Sequence, residues 1–290
     1  MKIEASPALL QKIRAYAEPF ESIRPAVFAL FPGNTQTLFP FEPESDRGLG
    51  VLLLAAALHR PGGEALTARI LADLYRAFGT DIFKLNRIPF EKVRETVQAT
   101  FAAEAALILD EAEQARIPGI LRSVCDFFYR VGPLGPWLES APDWETRAGE
   151  LCNEIYWMGL RSLTRSKARL FFWLLTRIPD FETHLPAMAH HARGFVWPVS
   201  DAHLRFWIDI VKPARTAGAR SPEERLSAFA AFGKELFPEA PWRLYLPLDS
   251  YLRRDRAGSF TCRTAQDGCR PCPLSALCPA AGQFIPGEGS

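Results

Sequence analysis

The sequence has no long hydrophobic run and no excess of charge of either sign. The longest apolar run, Val51–Leu58, is much shorter than the roughly 20 residues that a transmembrane helix needs. Lys and Arg number 34 and Asp and Glu number 33, so the net charge provides no general attraction to nucleic acid. Any such binding must come from local patches. The hydrophobic content of 48% and the absence of long charge blocks argue against a disordered chain.

Export signals and strand patterns are also missing. The first residues, MKIEASPALLQKIRAYAEPF, contain acidic side chains and a proline where a signal peptide needs an apolar stretch. We therefore expect no export and a cytoplasmic protein. No segment alternates apolar and polar residues as a half-buried strand does, and no internal repeat is present.

What the sequence does contain is apolar residues at three- and four-residue spacing along most of its length. This periodicity predicts helices at Leu9–Tyr16, Val51–Leu58, Leu66–Phe78, Val93–Glu113, Leu121–Tyr129, Arg147–Met158, Ser166–Leu175, Ala202–Ile210 and Glu223–Leu236. Two helix starts carry capping signals, at Asp143 and at Ser221-Pro222 with Glu224 following. Clusters of proline and glycine separate the helices. The predicted fold class is all-α, with helices packed on helices.

Four of the six cysteines lie within seventeen residues near the end of the chain, in the spacing C-x6-C-x2-C-x5-C. They are Cys262, Cys269, Cys272 and Cys278. Without an export signal, metal ligation is favoured over disulfides. Structural zinc uses two close cysteine pairs, and only Cys269 and Cys272 form one, although a zinc loop stays an alternative. The uneven gaps suit a wider 4Fe–4S cluster held by one loop. The remaining two, Cys125 and Cys152, lie among apolar residues and are expected to be buried.

This cysteine spacing, near the end of a mostly helical chain, resembles the 4Fe–4S loop of the endonuclease III family of DNA glycosylases, which share a helix–hairpin–helix motif. The match is complete over the seventeen residues. The resemblance implies two helical lobes: residues 49–204 would hold the hairpin, and residues 1–48 would pack with the cluster lobe, residues 205–290. It also implies that DNA crosses between the lobes, and that the cluster has a structural and DNA-positioning role.

The family's catalytic carboxylate is an Asp in a segment of the form V-D-T-H-I-x-R. Residues 199–205 are V-S-D-A-H-L-R, so Asp201 matches the catalytic residue and His203 matches a residue at the DNA interface. Ser200 is an addition to the pattern, and Arg205 comes one residue early. Such a carboxylate steadies positive charge on the sugar and activates a nucleophile. Asp201 can also serve as the N-cap of the helix beginning at Ala202, and the two roles are compatible.

A hairpin of the form L-P-G-V-G-x-K-T-A should precede this segment. The candidate begins at Trp157 and reads W-M-G-L-R-S-L-T-R-S-K-A, in which Gly159 matches the first glycine and Lys167 the family's catalytic lysine. The second glycine is missing, and residues 181–197 look like an insertion. If Lys167 attacks the sugar, the enzyme also cleaves the strand. If the register differs by one, Ser166 takes that position and Asp201 activates water. A solvated cation at the helix end is the third interpretation of Lys167.

A local basic patch supports contact with DNA. From residue 157 to residue 179 the chain has no acidic residue and five basic ones: Arg161, Arg165, Lys167, Arg169 and Arg177. Arg165 and Arg169 lie one helical turn apart and share a face. Together with the hairpin amides around Gly159, the side chains of Arg161, Arg165 and Arg169 are expected to hold a phosphate. The alternative is an ordinary basic surface face opposite apolar residues.

The predicted function is that of a DNA base-excision glycosylase that acts on a damaged, mismatched or modified base. The predicted partner is DNA, and no membrane association is expected. The chain is expected to be a monomer and, if it is bacterial, to associate with the nucleoid. Trp157, Trp197 or Trp207 would stack on an extruded base. The family's Gln-Gln-Thr-like segment, which fills the gap left by the base, is absent after Leu58. A catalytically inactive iron–sulfur DNA-binding protein on the same fold is therefore the alternative, and an electron carrier is a third possibility.

Overall fold

The computed structural model describes residues 6–34, 36–59, 64–101, 111–159, 165–184, 186–192, 203, 206–211, 222–249, 251, 253–254, 260–261 and 272–278. Most of these residues are helical, which confirms the all-α prediction. The chain divides into two compact units. Arg24–Phe195 form the helical unit, and Met1–Ile23 with Val196–Ser290 form the terminal unit. The N-terminal part of the terminal unit thus ends at Ile23, whereas the prediction placed a boundary at residue 48.

The helical unit begins with a 3₁₀ helix at Ala26–Leu30 and has two more 3₁₀ turns, Gly79–Phe83 and Leu85–Arg87. Its α-helices are α2 (Asp46–Leu58), α3 (Glu64–Phe78), α4 (Phe90–Phe101), α5 (Glu111–Val131), α6 (Leu134–Glu139), α7 (Trp144–Glu154), α8 (Ser166–Leu175), α9 (Phe181–His184) and α10 (Pro186–Ala192). The preceding helix, α1 (Pro7–Ala17), belongs to the terminal unit.

The core of the helical unit is built around α2 and α8, which pack against each other. Every residue of α2 from Gly48 to Leu58 is buried, as is expected for a helix without a polar face. In α8 every residue from Ala168 to Leu175 is buried. Gly50 allows close packing, since a Cβ there would lie 3.1 Å from the rings of Phe83 and Phe128. The α2–α8 pair therefore fixes the position of α8 within the helical unit.

The start of α7 has the cap that the sequence predicts. The carboxylate of Asp143 accepts a hydrogen bond from the backbone N–H of Thr146 at 2.7 Å and another from its hydroxyl at 3.1 Å. The backbone hydrogen bond is the main reason that the pKa of Asp143 lies below its usual value. The cap satisfies one of the N–H groups that the first turn of a helix leaves without an internal partner.

The terminal unit contains α1, a 3₁₀ turn (Glu18–Phe20), a π-helical turn (Trp207–Val211), α11 (Pro222–Leu236), a 3₁₀ turn (Pro241–Leu244) and α12 (Tyr245–Asp249). Two-residue strands, β1 (Arg253–Arg254) and β2 (Phe260–Thr261), pair antiparallel. Arg14 in α1 donates to the backbone carbonyl of Leu236 at 3.0 Å and so satisfies an unpaired group at the end of α11. The buried hydroxyl of Tyr16 donates to the carbonyl of Pro247 at 3.2 Å. These bonds attach α1 to the C-terminal helices of the same unit.

Membrane insertion of a helix has no support in the described part of the chain, where each helix is either too short or too polar to span a bilayer.

Candidate functional site

A pocket of about 760 Å³ opens beside the connection between α7 and α8, at the position of the predicted hairpin. Its walls include Gly159, Ser166 and Lys167, three residues of the hairpin prediction, together with Tyr156 and Trp157. Gly159 has a φ of 109°, a conformation that a side chain would disfavour. Arg161 lies outside the described residues, so its predicted phosphate contact stays a prediction.

Two aromatic side chains stand at the rim of this pocket. Tyr156 is 50% exposed and Trp157 is 46% exposed, which is unusual for such large apolar groups. Trp157 also has a φ of 68°, a left-handed conformation that costs free energy in a bulky residue. The guanidinium of Arg116 lies 4.1 Å from its ring centroid, in a cation–π contact. An exposed ring held in this way is suited to stacking on a planar group such as a nucleobase.

Tyr156, the neighbour of Trp157, contacts α5. The backbone N–H of Tyr156 donates to the hydroxyl of Ser123 at 3.0 Å. The ring itself lies against Gly119, where an added Cβ would come within 3.1 Å of a ring atom. No local pattern indicates this contact, because Gly119 lies in the middle of α5, far along the chain from the hairpin segment.

Lys167 reaches from the pocket wall to the end of α2. Its Nζ donates a hydrogen bond to the backbone carbonyl of Ala57, in the last turn of that helix. Carbonyls of a last turn lack internal partners and form the negative end of the helix dipole, so this position favours a cation. A lysine that attacks a sugar carbon must instead be a neutral amine. The contact therefore favours a binding or positioning role for Lys167 over a nucleophilic one.

The two arginines that the sequence places on one helix face both turn toward α7. Arg169 is only 5% exposed, and its Nη2 lies 2.8 Å from the Glu145 carboxylate. Burial lowers the pKa of Arg169, and the Glu145 charge counteracts this effect. Arg165, the residue before α8, donates from Nη1 to the backbone carbonyl of Glu145 at 3.1 Å. Arg169 thus lies in the interior, where it joins α8 to α7, and not on the basic surface that we expected.

Glu145 is the partner that the sequence reasoning missed. Glu145 precedes the basic segment from residue 157 to residue 179 and lies in the first turn of α7. The helix dipole favours acidic side chains in the first turn, and this position is the sequence feature that could have indicated Glu145.

His203, predicted at the DNA interface, lies in the core of the terminal unit. It is fully buried, and its ring stacks on Tyr245 with 5.3 Å between centroids and an interplanar angle of 25°. The ring also meets Phe229 edge-on at 6.5 Å. This placement corrects the expectation of a surface contact, because His203 contributes to packing. Asp201 lies outside the described residues, and its catalytic role stays a prediction.

Two of the four clustered cysteines, Cys272 and Cys278, fall within the described segment 272–278, whereas Cys262 and Cys269 lie outside the described residues. The segment is a series of turns in which the backbone N–H of Cys278 donates to the carbonyl of Leu274 at 2.9 Å. Both side chains are half-buried, and neither forms a disulfide. The described residues contain no group of three side chains able to hold a metal ion, so the cluster stays a prediction. Cys272 and Cys278 lie at the two ends of this run of turns, and thiols are the ligands that such a cluster takes.

Tyr251 lies beside this segment, and no sequence signal had singled it out. It is 2% exposed, and its hydroxyl lies 3.8 Å from Cys278 Sγ and 3.4 Å from Asp209 Oδ2. Burial, followed by the influence of Cys278 and Asp209, raises the pKa of Tyr251 far above its usual value. The hydroxyl therefore keeps its proton and acts as a hydrogen-bond donor.

The other two cysteines are buried, as predicted. Cys125 is 1% exposed and Cys152 is 5% exposed. Burial raises the pKa of Cys125 to about 11, and it also raises the pKa of Cys152. Neither thiol is therefore present as the thiolate that reactive cysteines need.

The structure thus brings Gly159, Ser166 and Lys167 to one pocket and directs Arg165 and Arg169 to Glu145. Neither a known protein family, nor a curated protein, nor a solved structure matches this chain.

Proposed function

We propose that this chain is a DNA base-excision glycosylase of the endonuclease III-like, helix–hairpin–helix class. The observation that carries the proposal is the complete C-x6-C-x2-C-x5-C spacing, at the end of a chain whose described part is all-α. The cluster ligands would be Cys262, Cys269, Cys272 and Cys278. When bound, a 4Fe–4S cluster supplies a covalent cross-link between these residues and orders the loop that they share.

The pocket between α7 and α8 supports binding of an unstacked base. Trp157 offers an exposed ring, and stacking of a base on an aromatic side chain contributes about 1–3 kcal/mol. Arg116 holds this ring from one side and adds a positive charge near the rim. Lys167 brings a second cation to the wall of the same pocket. Aromatic surface combined with positive charge is the combination that single-stranded or extruded nucleotides require.

The geometry of Lys167 favours base removal by water over strand cleavage. Because its amine is engaged by the carbonyl at the end of α2, we assign the reaction to Asp201, which would activate water and steady positive charge on the sugar. In this proposal Lys167 binds the DNA. A protein with this mechanism leaves an abasic site and an intact strand.

Excision from duplexes that each carry a single damaged, mismatched or modified base tests the proposal. We expect wild-type protein to release at least one of these bases, detected as alkali-labile strands. Asp201→Asn should reduce the rate by about 10²- to 10⁴-fold, the usual contribution of a general base. Asp126→Asn, at an exposed position of α5, is the matched control and should retain full activity. Binding of every duplex without release of any base would contradict the proposal.

Treatment with borohydride tests the role of Lys167 separately. A nucleophilic lysine forms a Schiff base that borohydride traps as a covalent protein–DNA complex. We expect no trapped complex from wild-type protein and weaker DNA binding by Lys167→Met. A complex that forms with wild-type protein and disappears in Lys167→Met would show instead that the enzyme also cleaves the strand.

A catalytically inactive DNA-binding protein on the same fold is the second candidate. The missing second hairpin glycine and the missing Gln-Gln-Thr-like segment favour it, because both depart from the pattern of the family. The same duplexes distinguish the two candidates, because the inactive protein binds DNA with the usual salt dependence and leaves every base in place.

A further inference from the structure

Tyr251 stands between a predicted cluster ligand and a carboxyl group. Its hydroxyl lies 3.8 Å from Cys278 Sγ and 3.4 Å from Asp209 Oδ2. The ring meets Phe206 edge-on, with 5.1 Å between centroids and an interplanar angle of 83°. Because the side chain is almost fully buried and packed in this way, the hydroxyl is directed at these two groups. It has one proton to share between two acceptors.

We propose that Tyr251 is a positioning residue that sets the reduction potential of the cluster, and that Asp209 opposes it. Hydrogen bonds to ligand sulfurs are among the features that determine the potentials of iron–sulfur clusters. A donor to Cys278 stabilises the additional negative charge that one-electron reduction brings, so it raises the potential. Asp209 competes for the same proton and places a negatively charged group nearby, and both effects lower the potential. The inference rests on the proposed cluster and is independent of base excision.

Redox titration of the purified full-length protein, with and without two substitutions, tests this assignment. Tyr251→Phe keeps the ring that packs on Phe206 and removes the donor, so we expect the midpoint potential to fall below the wild-type value. Asp209→Asn removes the competing negative charge and leaves the hydroxyl of Tyr251 to donate its proton to Cys278 Sγ, so we expect the midpoint potential to rise. Opposite signs are the decisive readout, because a general loosening of the loop would shift both variants in one direction.

Tyr16→Phe is the matched control. Tyr16 is also a buried tyrosine of the terminal unit, but its hydroxyl donates to the carbonyl of Pro247. We therefore expect the wild-type potential in this variant. The double variant of Tyr251 and Asp209 should rise less than Asp209→Asn alone, since the proton for which the carboxyl group competes is gone.

Potentials of both variants equal to wild type, or shifted in the same direction, would overturn the inference. If Tyr251→Phe binds less iron than wild type, the midpoint potential of Asp209→Asn alone tests the inference. A rise supports it, and a fall or no change contradicts it. The titration contains no DNA, so a protein that excises no base can still give the expected shifts. Conversely, the wild-type protein could excise a base while both variants keep the wild-type midpoint potential. That result would support the proposed function and exclude this role of Tyr251. Wild-type protein without iron would overturn both the cluster and the inference.

Discussion

The α2–α8 pair and the cysteine segment 272–278 differ in what holds them in place. Every residue of α2 from Gly48 to Leu58 is buried, whereas within the segment only Leu274 reaches that degree of burial. Burial of a large apolar side chain stabilises a fold by about 1.5–3 kcal/mol, so α2 and α8 can be held by packing alone. A described run of seven residues in turns, with one buried side chain, gains much less from packing. In the proposed cluster, metal ligation would add to this weak packing.

Substitution of a predicted cysteine ligand should have the largest effect, because only one side chain of the described segment, Leu274, is fully buried. In Cys272→Ser or Cys278→Ser we expect the iron content per chain to fall by at least about tenfold. Limited proteolysis should then cut the C-terminal region and leave the helical unit intact. Ser275→Ala, in the same segment, is the control and should keep its iron. Full iron content in both cysteine variants would mean that packing holds the segment.

Truncation of a side chain in α2 tests the other half of the comparison. Leu53 is fully buried, so Leu53→Ala should lower the free energy of unfolding of the helical unit by about 2–5 kcal/mol. Leu66→Ala, at a half-buried position of α3, should cost less. Urea unfolding followed by circular dichroism measures both. Equal costs for the two variants would contradict the view that α2 is the centre of the core.

Removal of Glu145 should destabilise the α7–α8 contact to a smaller extent. Loss of one partner of a fully buried ion pair costs about 3–5 kcal/mol, and we expect about 2 kcal/mol here because the Glu145 side chain is 39% exposed. Asp73→Ala removes a surface pair with Arg76 and should cost less than about 1 kcal/mol. Arg169→Met should recover much of the loss in the Glu145→Ala background. A Glu145→Ala variant as stable as Asp73→Ala would show that the pair of Glu145 with Arg169 contributes no more than a surface pair.

The cap of α7 should make the smallest contribution, with a distinct dependence on pH. Asp143→Ala should cost about 1 kcal/mol at neutral pH. Because the pKa of Asp143 is lowered in the folded protein, its stabilisation is complete above the unfolded value of about 4 and is lost as the pH falls through the folded pKa. The difference in unfolding midpoint between wild type and Asp143→Ala should therefore shrink below about pH 4. A difference that is constant with pH would exclude a charged cap.

The local features of the fold could be predicted from the sequence. The predicted bounds of α8 agree with the structure, and Asp143 caps α7, because periodicity and capping depend on residues close together in the chain. The predicted helices Val93–Glu113 and Leu121–Tyr129 leave a break at residues 114–120, whereas α5 (Glu111–Val131) is helical across that break. Pro118 lies within it, and proline usually interrupts a helix.

The contacts of the candidate site could not be predicted in the same way. Lys167 meets Ala57, which is 110 residues away, and Arg169 meets Glu145, which is 24 residues away. Such pairs depend on how helices pack and leave no mark in local spacing. The same reason explains why a basic stretch looked like a surface patch although Arg169 lies inside. The cysteine spacing can be recognised in the sequence because ligands of one cluster are grouped in a short loop, and the cluster itself stays a prediction.

Iron and acid-labile sulfide in aerobically purified protein test the central claim most directly. The proposed cluster predicts a brown protein with about four iron and about four sulfide ions per chain. A colourless protein that contains one zinc ion per chain would contradict the cluster, and with it the observation on which the proposed function rests.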